Sequence, residues 1–162
     1  MTLGRLAITL ILACTVLAGG AMYYLQVWGY YRTLPDQGTL QTDAGPLAIT
    51  RFQGIDSESS PLRYRACFTL AQPVDLPEAA DPTPLNAPFW FDCFDAPTLG
   101  ADLTAGRARA LVLETDAPWG FDRLMALYPD GRAFAWPQLN ACGQAHFDGE
   151  RLPEGCSPPP SR

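Results

Sequence analysis

The sequence predicts an α+β protein: an N-terminal transmembrane helix followed by a small domain with a mostly antiparallel sheet and one helix. Three observations carry this. Leu6 to Leu25 run 20 positions without a charge. Beyond them, short stretches of alternating apolar and polar residues recur between turn signals and read as roughly five strands. Only "DAPTLGADLTAG" has helical spacing with both ends marked, and one helix cannot cover both faces of a parallel sheet.

The apolar run, "LAITLILACTVLAGGAMYYL", is long enough as a helix to cross a hydrocarbon core of roughly 30 Å. In lipid its backbone groups must pair within the segment. Tyr23, Tyr24, Trp28, Tyr30 and Tyr31 gather at its C-terminal side as a one-sided aromatic belt. Residues 1–31 are therefore expected to be an uncleaved anchor. A signal peptide would use Arg5 as its charged region and Ala18 to Ala21 as its cleavage site. That would leave a mature chain opening on the aromatic stretch "MYYLQVW". A lipoprotein acylated at Cys14 fits less well, because the apolar stretch before that cysteine is short. A short N-terminal tail stays in the cytoplasm. The expected topology is single-pass with the C-terminal domain outside the cytoplasm, which in a diderm bacterium means an inner-membrane anchor and a domain in the periplasm.

All eleven basic residues are arginine, and from Thr33 onward nine of them face 17 acidic residues, a net charge of about −8. No basic cluster exists that would follow a phosphate backbone, which excludes nucleic acid as a partner. The acidic surface is repelled by anionic headgroups, so the lipid bilayer is met through the helix alone.

Residues 32–45 read as a polar linker, and residues 46–140 as the extracytoplasmic domain. In "PLAITRFQGI" Leu47 and Ile49 alternate with Ala48, Thr50 and Phe52, which predicts a strand. "DSESSP" is a turn. "LRYRACFTL" alternates strictly: Leu62, Tyr64, Ala66 and Phe68 on one face, Arg63, Arg65, Cys67 and Thr69 on the other. Five prolines between positions 71 and 88 make an extended surface loop. The helix then has Asp95 as N-cap, Pro97 in its first turn, Leu99 and Leu103 on one face and Gly106 as its stop. Ala108 to Thr115 is a buried-type strand. "FDRLMALYPDGRAFAWPQL" is a hairpin turning at Pro129-Asp130-Gly131, with Leu124, Ala126 and Tyr128 aligned with Phe134 and Trp136. Residues 141–162 read as a frayed Gly- and Pro-rich tail.

Apart from Cys14, four cysteines remain, and an even number in a small exported domain predicts disulfides. Pairing Cys67 with Cys93 would close the proline-rich loop and remove unfolded-chain entropy worth roughly 3.5 kcal/mol. Pairing Cys142 with Cys156 would staple the tail. Two other chemistries compete. Cys142, His146 and Cys156 offer three metal ligands where structural zinc takes four. Cys67 would serve a thiol-dependent enzyme if Arg63 and Arg65 lowered its pKa. The same arginines either form ion pairs with Asp92 and Asp95 or act as a fork for a small anionic ligand. No Ser-His-Asp set, phosphate-binding glycine loop or HExxH motif occurs. Thus no catalytic residue and no cofactor are assigned, and enzymatic activity is left open.

Three segments, "FQGIDSESSPLRYRACF", "DPTPLNAPFWFDCFDA" and "YPDGRAFAWPQLN", together with "MYYLQVWGYY", resemble a family of small single-span bacterial membrane proteins with no assigned function. The resemblance runs from the anchor to about Asn140 and leaves the tail outside. It implies a location and an architecture but no catalytic residues. The functional expectation is an interaction or accessory protein that supports a larger membrane complex. Small residues Cys14, Ala18 and Ala21, with Thr15 and Gly19, would let its helix pack closely on another.

Overall fold

The structure, a computed structural model, describes residues 2–160, and the chain divides into two compact units at about Arg32. The first unit is α1 (Leu3–Tyr24), continued by a π-turn over Leu25–Gly29. Together they make 27 residues of mean hydropathy 2.0, long and apolar enough to cross a membrane. None of the α1 side chains is buried by the chain itself. Trp28 lies edge-on to Tyr23 and stacks on Tyr24, with ring centroids 5.7 and 6.1 Å apart.

The second unit contains β1 (Arg32–Leu34), β2 (Thr39–Thr42), β3 (Gly45–Asp56), β4 (Arg65–Leu70), α2 (Ala96–Thr104), β5 (Arg109–Glu114), β6 (Phe121–Leu127), β7 (Arg132–Leu139) and α3 (Ala141–Phe147). The strands form one sheet in the order β1-β3-β4-β7-β6-β5, with β2 also on β3. The pairs β2–β3, β3–β4, β4–β7, β6–β7 and β5–β6 are antiparallel. This is the expected mostly antiparallel α+β domain behind a long apolar helix.

The sheet curls until β2 meets β5. Asp43 N–H donates to the Leu113 carbonyl at 2.9 Å, and the Asp43 carboxylate accepts from the Thr115 N–H and hydroxyl. Inside the curl, Ile49, Phe52, Tyr64, Phe68, Leu111 and Met125 form one core. On the outer face Cys67, Leu124 and Trp136 are covered by Phe94, Ala96 and Leu99 from α2 and the loop before it. β4 is therefore buried on both faces, one in each core.

Several elements depart from the sequence expectation. The stretch expected as a linker supplies β1 and β2. Ile49 and Phe52, expected on opposite faces, enter the same core, because the ladder shifts between Thr50 and Gln53 where Arg51 takes φ 54. One extra residue at a bulge reverses the side-chain alternation beyond it. The proline-rich loop lies along the outer edge of β5: Ala79 N–H donates to Ala110 O, and Val112 N–H donates to Pro77 O at 2.8 Å. Proline lacks a donor but keeps its carbonyl, so it can cap an edge from outside. The stretch expected as a frayed tail begins with α3, whose N-cap Asn140 accepts from Gly143 N–H at 2.9 Å.

Candidate functional site

Arg65 opens β4 and is only 3 % exposed. Its Nε donates to Leu85 O at 2.8 Å and its Nη2 to Asn86 O at 2.9 Å, both in the proline-rich loop. Nη1 donates to Leu62 O and Tyr64 O at 2.8 and 2.6 Å. The guanidinium also lies 5.8 Å from the Phe94 ring centroid. The fork is thus met by main-chain oxygens, which gather there because prolines leave that loop short of ladder partners. Asp95, the expected partner, instead caps α2: its carboxylate accepts from the Thr98 hydroxyl and N–H, bonds that hold it below the usual carboxylate range. Asp92 is exposed. Arg63 precedes the strand and is half-buried, its N–H donating to Ser60 O. An anion arriving at Arg65 would have to displace four carbonyls from an enclosed site.

Cys67 is bonded to Cys93, their Cα atoms 6.3 Å apart, and Cys142 to Cys156 at 5.7 Å. A sulfur held in a disulfide is neither a thiolate nucleophile nor a thiolate ligand. This removes the chemistry that a thiol enzyme would ask of Cys67 and two of the three donors of the metal alternative. His146, the third, lies edge-on to Trp119 with centroids 5.2 Å apart. Among the described residues no group of three His, Cys, Asp or Glu side chains is placed to hold a metal. Cys14 is the one free cysteine among them and lies exposed on α1.

Two features went unseen in the sequence. The first is a cavity of about 570 Å³ at one end of the curled sheet. There β4 and β6 finish and β5 and β7 begin, so Leu70, Val74 and Leu127 line it while also packing on the inner core. Arg107 and Arg109 stand at its side, both 60 % exposed. Arg107 pairs with Asp102 at 2.6 Å and Arg109 with Glu78 at 3.2 Å. Tyr128 completes the wall, and its hydroxyl bonds Asp102. The available signal was the alternation of arginine with alanine in "GRARAL" at the start of a strand.

The second is a smaller cleft of about 330 Å³ lined by Asp56, Ser57, Tyr64, Pro118 and Arg123 among others. The Arg123 guanidinium lies 4.5 Å from the Tyr64 ring centroid and pairs with Glu114. Burial pushes the Tyr64 phenol up to about 12, with Arg123 opposing. Its hydroxyl and Arg123 Nε have no protein partner.

These features define a class: a disulfide-stapled, curled antiparallel domain carried behind one long apolar helix, with its conspicuous arginine and cysteines engaged in holding the fold. The chain belongs to a family of unknown function (DUF6446), which matches residues 37–157, roughly three quarters of its length. The match takes in α3 and both disulfides, so the tail that the sequence resemblance left outside is part of the family domain, whereas α1 precedes the matched region. No curated protein and no solved structure matches the chain.

Proposed function

We propose that the protein is a membrane-tethered accessory module. α1 with its π-turn is a permanent single-pass anchor, the N-terminus is cytoplasmic, and the curled domain works on the extracytoplasmic side of a bacterial inner membrane, where it supports a larger membrane complex. The observation that carries this reading is the conjunction of two disulfides with a long apolar helix that precedes both in the chain. Disulfides persist in oxidising compartments, and a helix with no side chain buried by its own chain suits lipid or a partner helix. Binding is favoured over catalysis because the buried arginine and four of the cysteines hold the architecture.

The test is a pair of C-terminal fusions expressed in the native host. Alkaline phosphatase should be active and a cytosol-dependent fluorescent protein dark. Mass spectrometry of the purified chain should find the first thirty residues attached. Crosslinking from Cys14 in intact membranes should capture a membrane protein. A dark phosphatase, a chain beginning near residue 22, or recovery of monomer alone each defeats the corresponding part.

A further inference from the structure

The cavity at the end of the curled sheet has the chemistry of a site for an amphiphile. Its floor is apolar and continuous with the inner core through Leu70, Val74 and Leu127. Its rim carries two guanidiniums, Arg107 and Arg109, two residues apart at the start of β5. Mouths of curled or closed sheets are common ligand sites, and about 570 Å³ falls within the size that small ligands occupy. Arg109 and Glu78 are both well exposed, and such pairs contribute little, so a ligand anion exchanges readily with Glu78. Asp130, the acidic residue on the rim, is engaged by the Arg132 N–H and guanidinium.

We propose that this cavity binds a single-chain amphiphile with a carboxylate head, a long-chain fatty acid: its alkyl chain lies on Leu70, Val74 and Leu127, and its carboxylate exchanges with Glu78 at Arg109, beside Arg107. Charge complementarity selects the head, since arginine receives a carboxylate through two parallel N–H bonds. Burial of the alkyl chain supplies the driving force. The buried Arg65 fork is a poorer candidate, being closed over by four carbonyls that an anion would have to displace. The proposal does not depend on which side of a membrane the domain occupies.

The experiment uses the full chain in lipid nanodiscs with a photoreactive, diazirine-bearing long-chain fatty acid, and mass spectrometry locates the adducts. The expected result is labelling of the peptides that carry Leu70 to Val74 and Leu127 to Gly131. Arg109→Glu should lower it about tenfold, the scale of one lost charge-assisted contact, and Arg109→Lys, which keeps the charge but not the fork, should fall between that variant and the unsubstituted chain. Val74→Trp, which fills the floor, should abolish it. The fatty alcohol of the same chain length should label these peptides weakly. Adducts confined to Leu3–Gly29, equal labelling by the alcohol, or labelling indifferent to both Arg109→Glu and Val74→Trp would overturn the proposal. Retention of both disulfides and of the far-ultraviolet dichroism in each variant separates a lost site from a lost fold.

Discussion

The phenol of Tyr128 donates to the carboxylate of Asp102, and this bond ties the turn after β6 to the last turn of α2. Arg107 grips the same carboxylate through Nε and Nη2. The two donors hold Asp102 below its ordinary 3.8, the Tyr128 bond being the larger cause. Burial first, then Asp102, pushes Tyr128 up to about 12. A lowered folded-state carboxyl stabilises above 3.8 and ceases to as pH falls through the folded value. A raised phenol stabilises below its unfolded value of 10 and ceases to as pH climbs toward about 12. Tyr128→Phe should therefore lower the Tm by a few degrees, with a constant deficit between about pH 4 and 10 that narrows on both sides. A deficit that grows outside this range would refute the linkage.

The two raised phenols give an optical signature. Tyr64 titrates at about 12 because it is buried, and Tyr128 at about 12 for the reasons above. Following tyrosinate absorbance in the folded protein, Tyr64→Phe and Tyr128→Phe should each remove part of the change near pH 12. If Tyr64→Phe leaves that late component intact, the hydroxyl is not enclosed as the structure has it.

Arg65 should tolerate no conservative exchange. Arg65→Lys keeps the charge but offers one ammonium where carbonyls from Leu62, Tyr64, Leu85 and Asn86 converge on a fork. The Tyr64 carbonyl bond is buried and the other three are partly so; an unmet buried acceptor costs about 1–3 kcal/mol, so urea unfolding should lose about 1–3 kcal/mol. Arg63→Lys, at a half-buried position before the strand, should lose far less. Equal losses would mean that the carbonyl cage does not depend on the fork.

The disulfides should contribute according to the loops they close. Cys67 and Cys93 are 26 residues apart and Cys142 and Cys156 are 14 apart. Chain-entropy arguments give about 3.5 and 3 kcal/mol respectively. The Cys67→Ala/Cys93→Ala variant should be the less stable of the two double variants and the more open to proteolysis between residues 71 and 88. A thiol count on the unreduced, detergent-denatured protein should find Cys14 alone.

Much of this was legible, and what was missed has physical causes. The strand read over "LRYRACFTL", which forms from Arg65 to Leu70 and not from Leu62, the α2 caps and the β6–β7 hairpin declared themselves through alternation, capping residues and a Pro-Asp-Gly turn. β1 and β2 did not, because "RTL" and "TLQT" each hold one large apolar residue, and their partner β3 makes them strands. The bulge at Arg51 was hidden because a non-glycine residue takes the left-handed conformation. The type of residue at Arg65 was readable, but two of its four partners lie 20 and 21 positions away, and all four are main-chain atoms. The cavity at the sheet end was invisible because curling, not local sequence, brings Leu70, Arg109 and Leu127 together.

α3 shows how a short element survives poor local propensity. It has seven residues with a glycine inside, yet Asn140 caps it, Cys142 is tied to Cys156, and Gly143 sits against Gly120. A Cβ on Gly143 would lie 2.2 Å from Gly120 O, which already accepts the Asn140 N–H at 3.0 Å. Backbone cannot yield as a side chain can, so the gain in helix propensity from alanine is outweighed by overpacking of about 1–3 kcal/mol. Gly100 in α2 is the opposite case: a Cβ there meets nothing within 4 Å. Gly100→Ala should stabilise by about 0.5–1 kcal/mol. Urea unfolding of the two variants should therefore move in opposite directions, and Gly143→Ala should also free the segment after Asn140 for proteolysis. If Gly143→Ala stabilises as Gly100→Ala does, α3 is not packed on the Gly120 turn.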